Sequence, residues 1–340
     1  MVTVGGVRAT PPEELETSVL IAVLADDWGL AVEAVDYAAV GGGSYHWLVR
    51  DVEGTRSFVT ADDLDQKPWL GKTRESAFDG LRGAFDTAVA LRDSGVGFVV
   101  APIPTSRGEA VRRIGPRHSI ALFPFVDGDA GTYGRYETAE RTALLTMLAE
   151  LHEATPVAAA VARRIDLALP GRDKLETALQ QLNQTWSGGP LSEPARRTLA
   201  PHAFYVAELL ALLDRLSVEV VQRSTNWVIT HGEPHAGNVM RTGETYVLVD
   251  WDTVALAPRE RDLWMFVDQT SEEATIYTAA TGQQLDEVAM NFFRLTWDLA
   301  DIAAFTDLLR SPHDHSEDTE KAHEALTYYF TTRDRWAPLA

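Results

Sequence analysis

The sequence predicts an α+β chain of two lobes, a small strand-rich N-lobe (residues 1–126) and a larger helical C-lobe (residues 127–340). Three observations carry that expectation. Short β-prone runs punctuated by glycine and proline dominate the first third of the chain, with one long helix among them. Apolar residues at helical spacing dominate the remainder. The composition changes near Asp127-Gly128, just after the apolar run SIALFPFVDG.

The elements follow in order. The first 16 residues carry Pro and Gly and read as a loose arm, and Glu14 to Ala25 is predicted as a short helix closed by the turn DDWG. Strands are expected over Val32 to Val40, Tyr45 to Val52 and Arg56 to Thr60, with the corner Gly41-Gly42-Gly43-Ser44 and the turn Glu53-Gly54-Thr55 between them. Ser76 to Leu91 repeats apolar residues on one helical face. Phe98 to Ala101 is predicted as a short strand, and Ala110 to Ile114 with Ser119 to Phe125 as a strand pair. Helices are then expected over Tyr136 to His152, Leu175 to Leu182, Pro194 to Leu216, Leu285 to Leu309 and Lys321 to Phe330. One β-rich insert, Trp227 to Ile229 and Tyr246 to Val249, interrupts them, and Ser311 to Lys321 reads as a polar link.

Bulk properties exclude several classes. The chain of 340 residues is 45% apolar, enough for a folded core throughout. It has no cysteine, which rules out disulfides, thiolate metal sites and a cysteine nucleophile. The N-terminus lacks the pattern of a signal peptide, and no run approaches the length of a membrane span, so a cytoplasmic protein is expected. A net charge of −20 disfavours nucleic acid and anionic membranes. It suits both plain solubility and a cationic ligand.

The segment HGEPHAGNVMRTGETYVLVDWD, His231 to Asp252, concentrates the chemistry. Glu233 and Asn238 stand in a loop broken by Pro234 and Gly237, and an apolar strand then delivers Asp250 and Asp252 at its end. A carboxylate, an amide oxygen and a second carboxylate suit a hard divalent cation. With a carboxylate able to orient a hydroxyl, that is the equipment of phosphoryl transfer. The same Asn and Asp residues also suit turn capping. A glycosidase-like carboxylate pair, Glu233 with Asp250 or Asp252, would leave Asn238 without a role. His231 and His235 lie in a loop rather than in a helical HExxH arrangement, which favours structural imidazoles over zinc ligands.

With these residues in place, the chain resembles the aminoglycoside phosphotransferase family, small-molecule kinases of protein-kinase-like fold, and most closely its spectinomycin phosphotransferase branch. The resemblance runs through the Gly41–Ser44 turn, ALFPFVDG, LAELH, HGEPHAGN, VLVDWD and APRERDLWMF. It implies a bilobal kinase-like fold, with Glu233 as catalytic base and Asn238 and Asp250 as ligands of Mg²⁺ on ATP or GTP. Gly42, Gly43 and Ser44 would cover the phosphates. The hinge strand Ala121 to Val126, with Phe123 and Phe125, would bind the base through its backbone. Asp262 would steady the catalytic loop, with Arg259 or Arg261 as its partner, and His231, His235 and Asp252 would support it.

Two positions depart from the family. Glu233 stands where an aspartate is usual, one methylene longer. The strand lysine that normally bridges the α- and β-phosphates falls at Thr60, which has no charge. Lys67, Lys72 and Arg74 are the candidate substitutes, with Glu75 as an acidic partner. The acceptor is expected to be a small cationic molecule, aminoglycoside- or aminocyclitol-like, held by Glu272, Glu273, Asp298 and Asp301 with Trp297. Asp298 and Asp301 are three apart and share a helical face. The function implied is an ATP- and Mg-dependent O-phosphotransferase of the kind that confers antibiotic resistance, acting as a monomer or homodimer. The alternative is a catalytically impaired kinase-fold protein that binds a nucleotide or metabolite.

Overall fold

The computed structural model describes residues 8, 10–132, 138–223, 226–265, 267 and 271–331. In chain order, α1 (Thr17–Trp28) precedes strands β1 (Val32–Ala38), β2 (Tyr45–Asp51) and β3 (Arg56–Asp63). There follow α2 (Arg74–Asp93), β4 (Arg112–Ile114), β5 (His118–Pro124) and β6 (Asp129–Ala130). A helical stretch comprises α3 (Thr138–Glu153), α4 (Thr155–Ala158), α5 (Arg172–Gln180), α6 (Ser192–Leu199) and α7 (Ala203–Arg223). Strands β7 (Val228–Thr230), β8 (Val239–Thr242), β9 (Thr245–Leu248) and β10 (Ala255–Ala257) come next. The chain closes with α8 (Glu260–Leu263), α9 (Glu272–Thr281), α10 (Glu287–Arg310) and α11 (Glu317–Thr331). A strand-rich N-lobe is thus followed by a helical C-lobe, as the composition predicts.

β1 to β5 form one antiparallel sheet in the order β1-β2-β3-β5-β4. Strand alternation sends Ser57, Val59 and Ala61 to one face of β3 and Phe58, Thr60 and Asp62 to the other. The first face joins Trp47, Val49, Ile120 and Leu122 in a core closed by Leu20 and Leu24 of α1. Toward the second, Phe58 packs with Ala121 and Phe123 against Ala77, Leu81 and Phe85 of α2. Burying a Leu or Phe fully is worth about 1.5–3 kcal/mol, so the two clusters fix the sheet between two helices. Thr60 and Asp62 are thereby held on the α2 side. Thr73 caps α2 in a reciprocal box with Ser76, and the helix also packs on the turn Trp251–Thr253.

Two compact units emerge from the packing. One comprises the described residues of Val7–Ile165 and Asn226–Leu285, the other those of Asp166–Thr225 and Asp286–Ala340. The expected boundary at Asp127 falls inside the first. That unit contains the five-stranded sheet, the small sheet β6-β8-β9 and the pair β7-β10. In the second unit α10 packs against α5, α6, α7 and α11. Asp286 caps α10 by accepting from the backbone amides of Val288 and Ala289. Among the described residues no helix is long and apolar enough to cross a membrane.

The structure corrects several sequence-based element limits. Phe98 to Ala101 is no strand; Val99 alone bridges to Leu248. The helix expected over Pro194 to Leu216 is two helices, split at Ala200–His202 where Pro201 cannot donate an amide. β3 runs on to Asp63, and α1 lies three residues later than expected, at Thr17–Trp28. The Tyr136 start expected for α3 lies outside the described residues. α4, α8, α9, β6, β8 and β10 had no counterpart in the sequence reading.

Candidate active site

The loop after β7 is laced to its surroundings by named hydrogen bonds. His231 is fully buried and uses both ring nitrogens. Nε2 donates to the Val249 carbonyl at 2.9 Å, while Nδ1 accepts from the Glu233 amide at 3.3 Å. This is a neutral imidazole, and burial holds its pKa below the ordinary value. Asn238 closes a short 3₁₀ turn, Ala236–Asn238. Its Nδ2 donates to the Glu233 carbonyl at 2.9 Å, and its own carbonyl accepts from the Val249 amide at 3.0 Å. Glu233, Asn238 and the strand end that carries Asp250 are therefore one constellation.

Asp262 anchors the loop from below, at 0% exposure. It accepts from the backbone amides of His231 at 2.9 Å and Gly232 at 2.6 Å, and contacts His152 Nε2 at 3.1 Å. Burial alone would raise its carboxyl pKa, but the His152 bond and the charge of Arg261 hold it below the usual value. His152 continues to the Tyr277 hydroxyl at 2.5 Å. Arg261 donates to Thr230 Oγ1 at 2.8 Å and to the Thr253 carbonyl at 3.0 Å. Its guanidinium occupies the space a Cβ at Gly232 would need, and Gly232 has φ +100°. Only glycine satisfies both conditions there.

Asp250 adopts a left-handed conformation, φ 65° and ψ 65°, an unusual backbone state for a residue other than glycine. Its side chain is exposed, yet the protein around it displaces hydration, and its carboxyl pKa rises well above 3.8. The like charges of Asp252, Glu233 and Asp62 add to the rise, against the opposing charge of Lys67. Burial likewise raises Glu233 above 4.5. Among the described residues no group of three or more His, Cys, Asp or Glu side chains is arranged to hold a metal ion. Asn238, however, bonds through its nitrogen and so leaves its side-chain oxygen for a cation. With Asp250 it supplies two hard oxygen donors, which fits Mg²⁺, an ion that keeps waters and is completed by substrate phosphates.

The nearest buried cation to position 60 of β3 is Lys67, seven residues further on. Thr60 contacts His46 Nδ1 at 3.3 Å and carries no charge. Lys67 is buried at 1% exposure, with Nζ 2.8 Å from Asp62, 2.6 Å from Asp252 and 3.0 Å from Ser44 Oγ. Burial would lower the ammonium pKa, but Asp252, Asp62 and Asp250 outweigh it and the net shift is upward. Arg74 pairs instead with Asp65. Glu75, expected as the partner of the substitute cation, is exposed and pairs with Arg113; Lys67 takes Asp62 and Asp252 because they face it from β3 and from the turn after β9.

The remaining expected residues divide. Ser44 is buried and donates to Asp62 at 2.6 Å, Gly43 lies against Lys67 Nζ, and the Gly42 carbonyl accepts from Arg8 Nε at 3.1 Å. The Phe123 ring is a core group, edge-on to Phe85 with centroids 5.5 Å apart, which leaves only its backbone for a base. Phe125 lies half-buried under the Arg56 guanidinium. His235 is half-buried, its pKa lowered by burial to about 4, hence neutral at physiological pH. The acidic acceptor quartet is partly spoken for. Glu273 pairs with Arg141 at 2.6 Å, and Asp301, fully buried, accepts from Tyr329 at 2.6 Å. Asp298 is buried on α10, and Glu272 is exposed at the start of α9.

Residues 48–295 match the phosphotransferase enzyme family. The chain belongs to that family. Over 272 residues it is 29% identical to protein StrN of Streptomyces griseus, covering 77% of this chain and 80% of that protein. Among solved structures it is similar to spectinomycin phosphotransferase in complex with ADP and spectinomycin, with a TM-score of 0.70 and 19% identity over 92% of this chain and 94% of that one. Choline kinase from Cryptosporidium parvum gives a TM-score of 0.54 at 13% identity, over 95% and 97% of the two chains. At these identities the structural likeness establishes the kinase-like phosphotransferase fold. Asp62 and His152 are the residues around the candidate site that the sequence signals least, while Arg261 is one of the two arginines expected beside Asp262. Only the fragment LAELH points to His152, and the sequence does not separate Lys67 from Lys72 and Arg74.

Proposed function

We propose that the protein transfers the γ-phosphoryl group of a nucleoside triphosphate such as ATP to a hydroxyl of a small amine-bearing molecule. The observation that carries this reading is the lacing of Glu233, Asn238 and the Asp250 strand end by the Asn238 and His231 bonds. It presents a carboxylate, an amide oxygen and a second carboxylate in a fixed relation, so little reorganisation is needed on binding.

Glu233 orients the acceptor hydroxyl and takes its proton. The oxygen–phosphorus bond forms as the bond from the γ-phosphorus to the bridging oxygen breaks, which leaves a phosphomonoester and a nucleoside diphosphate. Asn238 and Asp250 would hold Mg²⁺, which would supply charge to neutralise the phosphates. Asp262 fixes the loop amides so that the carboxylate of Glu233 keeps its place. Support for an amine-bearing acceptor comes from the net charge of −20 and from structural neighbours named as a spectinomycin phosphotransferase and a choline kinase.

Phosphorus NMR of the protein with ATP and Mg²⁺ and a panel of aminocyclitols, aminoglycosides and choline tests this. A phosphomonoester resonance is expected with at least one amine-bearing acceptor and is lost in D250N. ATP binding without any phosphomonoester across the panel would instead favour a binding protein with an impaired catalytic carboxylate.

A further inference from the structure

We propose that Lys67, in the turn after β3, is the cation that holds the triphosphate, taking over from the strand position occupied by Thr60. The inference rests on the phosphotransferase reading and specifies how that site holds its nucleotide.

Three separate elements converge on the Lys67 ammonium. Asp62 reaches it from β3, Asp252 from the turn after β9, and Ser44 from the glycine corner between β1 and β2. A Cβ built on Gly43 would lie 4.0 Å from Nζ, so the ammonium sits directly beneath the corner. Asp252 is two residues from Asp250, which places the same charge beside the proposed metal site. A lysine that served only as packing would not need a serine, a glycine corner and a residue of the Asp250 turn around one nitrogen.

Position 60 carries no charge, and neither do the side chains beside it. Thr60 pairs across the strands with His46, whose ring stacks on Phe58 with centroids 5.0 Å apart. Burial lowers His46 to about pKa 4, so both partners are neutral at physiological pH. Asp62 lies two residues along on the same face and draws the ammonium to itself. The cation enters this spot from the chain turn rather than from the strand, and Leu64 and Leu70 flank it in the α2 core.

Asp62 and Asp252 pair with the Lys67 ammonium, and Asp250 and Glu233 lie within its electrostatic reach. Triphosphate entering alone meets this acidic surround. Nucleotide is therefore expected to bind together with the divalent cation, and Lys67 then shares its donors between Asp62 or Asp252 and a phosphate oxygen.

The test is calorimetric titration of the full chain with ATP and Mg²⁺, with melting temperatures measured in parallel. K67M is expected to weaken binding roughly ten- to a hundredfold, the worth of one charge-assisted bond. The double variant K67M/T60K, which moves the charge back to the strand, is expected to recover part of that loss. Parent protein that binds ATP with Mg²⁺ while K67M binds within twofold of it overturns the proposal and leaves the phosphotransferase reading intact. Parent protein that fails to bind overturns both. Should K67M not fold, ¹⁵N-lysine NMR of the parent decides, with the Lys67 resonance assigned through K67R. A shifted Lys67 signal at saturating ATP and Mg²⁺ supports the assignment, and an unmoved one overturns it.

Discussion

The loop His231 to Asp252 and the segment Asp62 to Lys67 meet at the Lys67–Asp252 pair and are held in opposite ways. In the loop, the bonds run between residues of one segment: His231 to Glu233 two residues on, Asn238 to Glu233 five residues back, and His231 to Val249 18 residues on. In the turn, Lys67 is fixed by partners 23 and 185 residues away, Ser44 and Asp252. Chemistry held by local backbone bonding demands particular residues at particular spacings. Chemistry held by a charge at a point in space can be supplied from any segment whose side chain reaches it. The first is conservative in pattern; the second can move along the chain.

The sharpest probe of the locally laced region is Asp250. D250N and N238A are expected to lower kcat at least a thousandfold, since each removes a proposed ligand of the metal that neutralises the phosphates. D250G adds a diagnostic. Its left-handed backbone is relieved by glycine, so melting temperature should hold or rise by the equivalent of up to about 1 kcal/mol while activity is lost. A D250G protein that unfolds more readily than the parent would contradict the strain assigned there.

Next in size is Gly232. G232A forces a side chain into the Arg261 guanidinium at φ +100° and is expected to cost about 2–3 kcal/mol with a loss of kcat near a hundredfold. Chemical denaturation and steady-state kinetics check both parts. An unchanged kcat would mean that the loop is held by less than its bonds imply.

A third effect concerns pH. His46 and His235 have folded pKa values of about 4 against 6.5 unfolded. The unfolded chain therefore binds protons first as pH falls. Stability is full above 6.5 and declines through the window down to about 4, by up to about 3 kcal/mol for each imidazole. Urea titrations from pH 7.5 to 4.5 should show the decline, flatter in H46Q, and an identical slope in that variant would remove His46 from the account. Smallest is the contrast among the three cations weighed for the phosphate role. K72A and R74A are expected to leave ATP affinity within twofold, because Arg74 is committed to the surface pair with Asp65.

What was legible in the sequence follows the same division. The order of strands, the helix with its buried stripe and the HGEPHAGN loop were readable because periodicity, glycine placement and loop spacing are local properties. Helix breaks and short strands were not. Pro201 splits a continuous apolar pattern, and β8 and β10 are three or four residues long, too short to show alternation. Glu75 was a reasonable partner by proximity in sequence, yet only the fold shows that it faces Arg113. The burial of Asp301 and the pairing of Glu273 with Arg141 were equally invisible, since helical spacing reports a shared face and not what covers it.

A metal-dependent nucleotide site built on Asn238 and Asp250 is open to isothermal titration of the full chain with ATP, with and without Mg²⁺ at physiological salt. The expected result is binding in the presence of Mg²⁺ that is at least tenfold weaker in its absence and is lost in D250N. Equal affinity with and without the metal, or no binding of ATP or GTP under either condition, would contradict it.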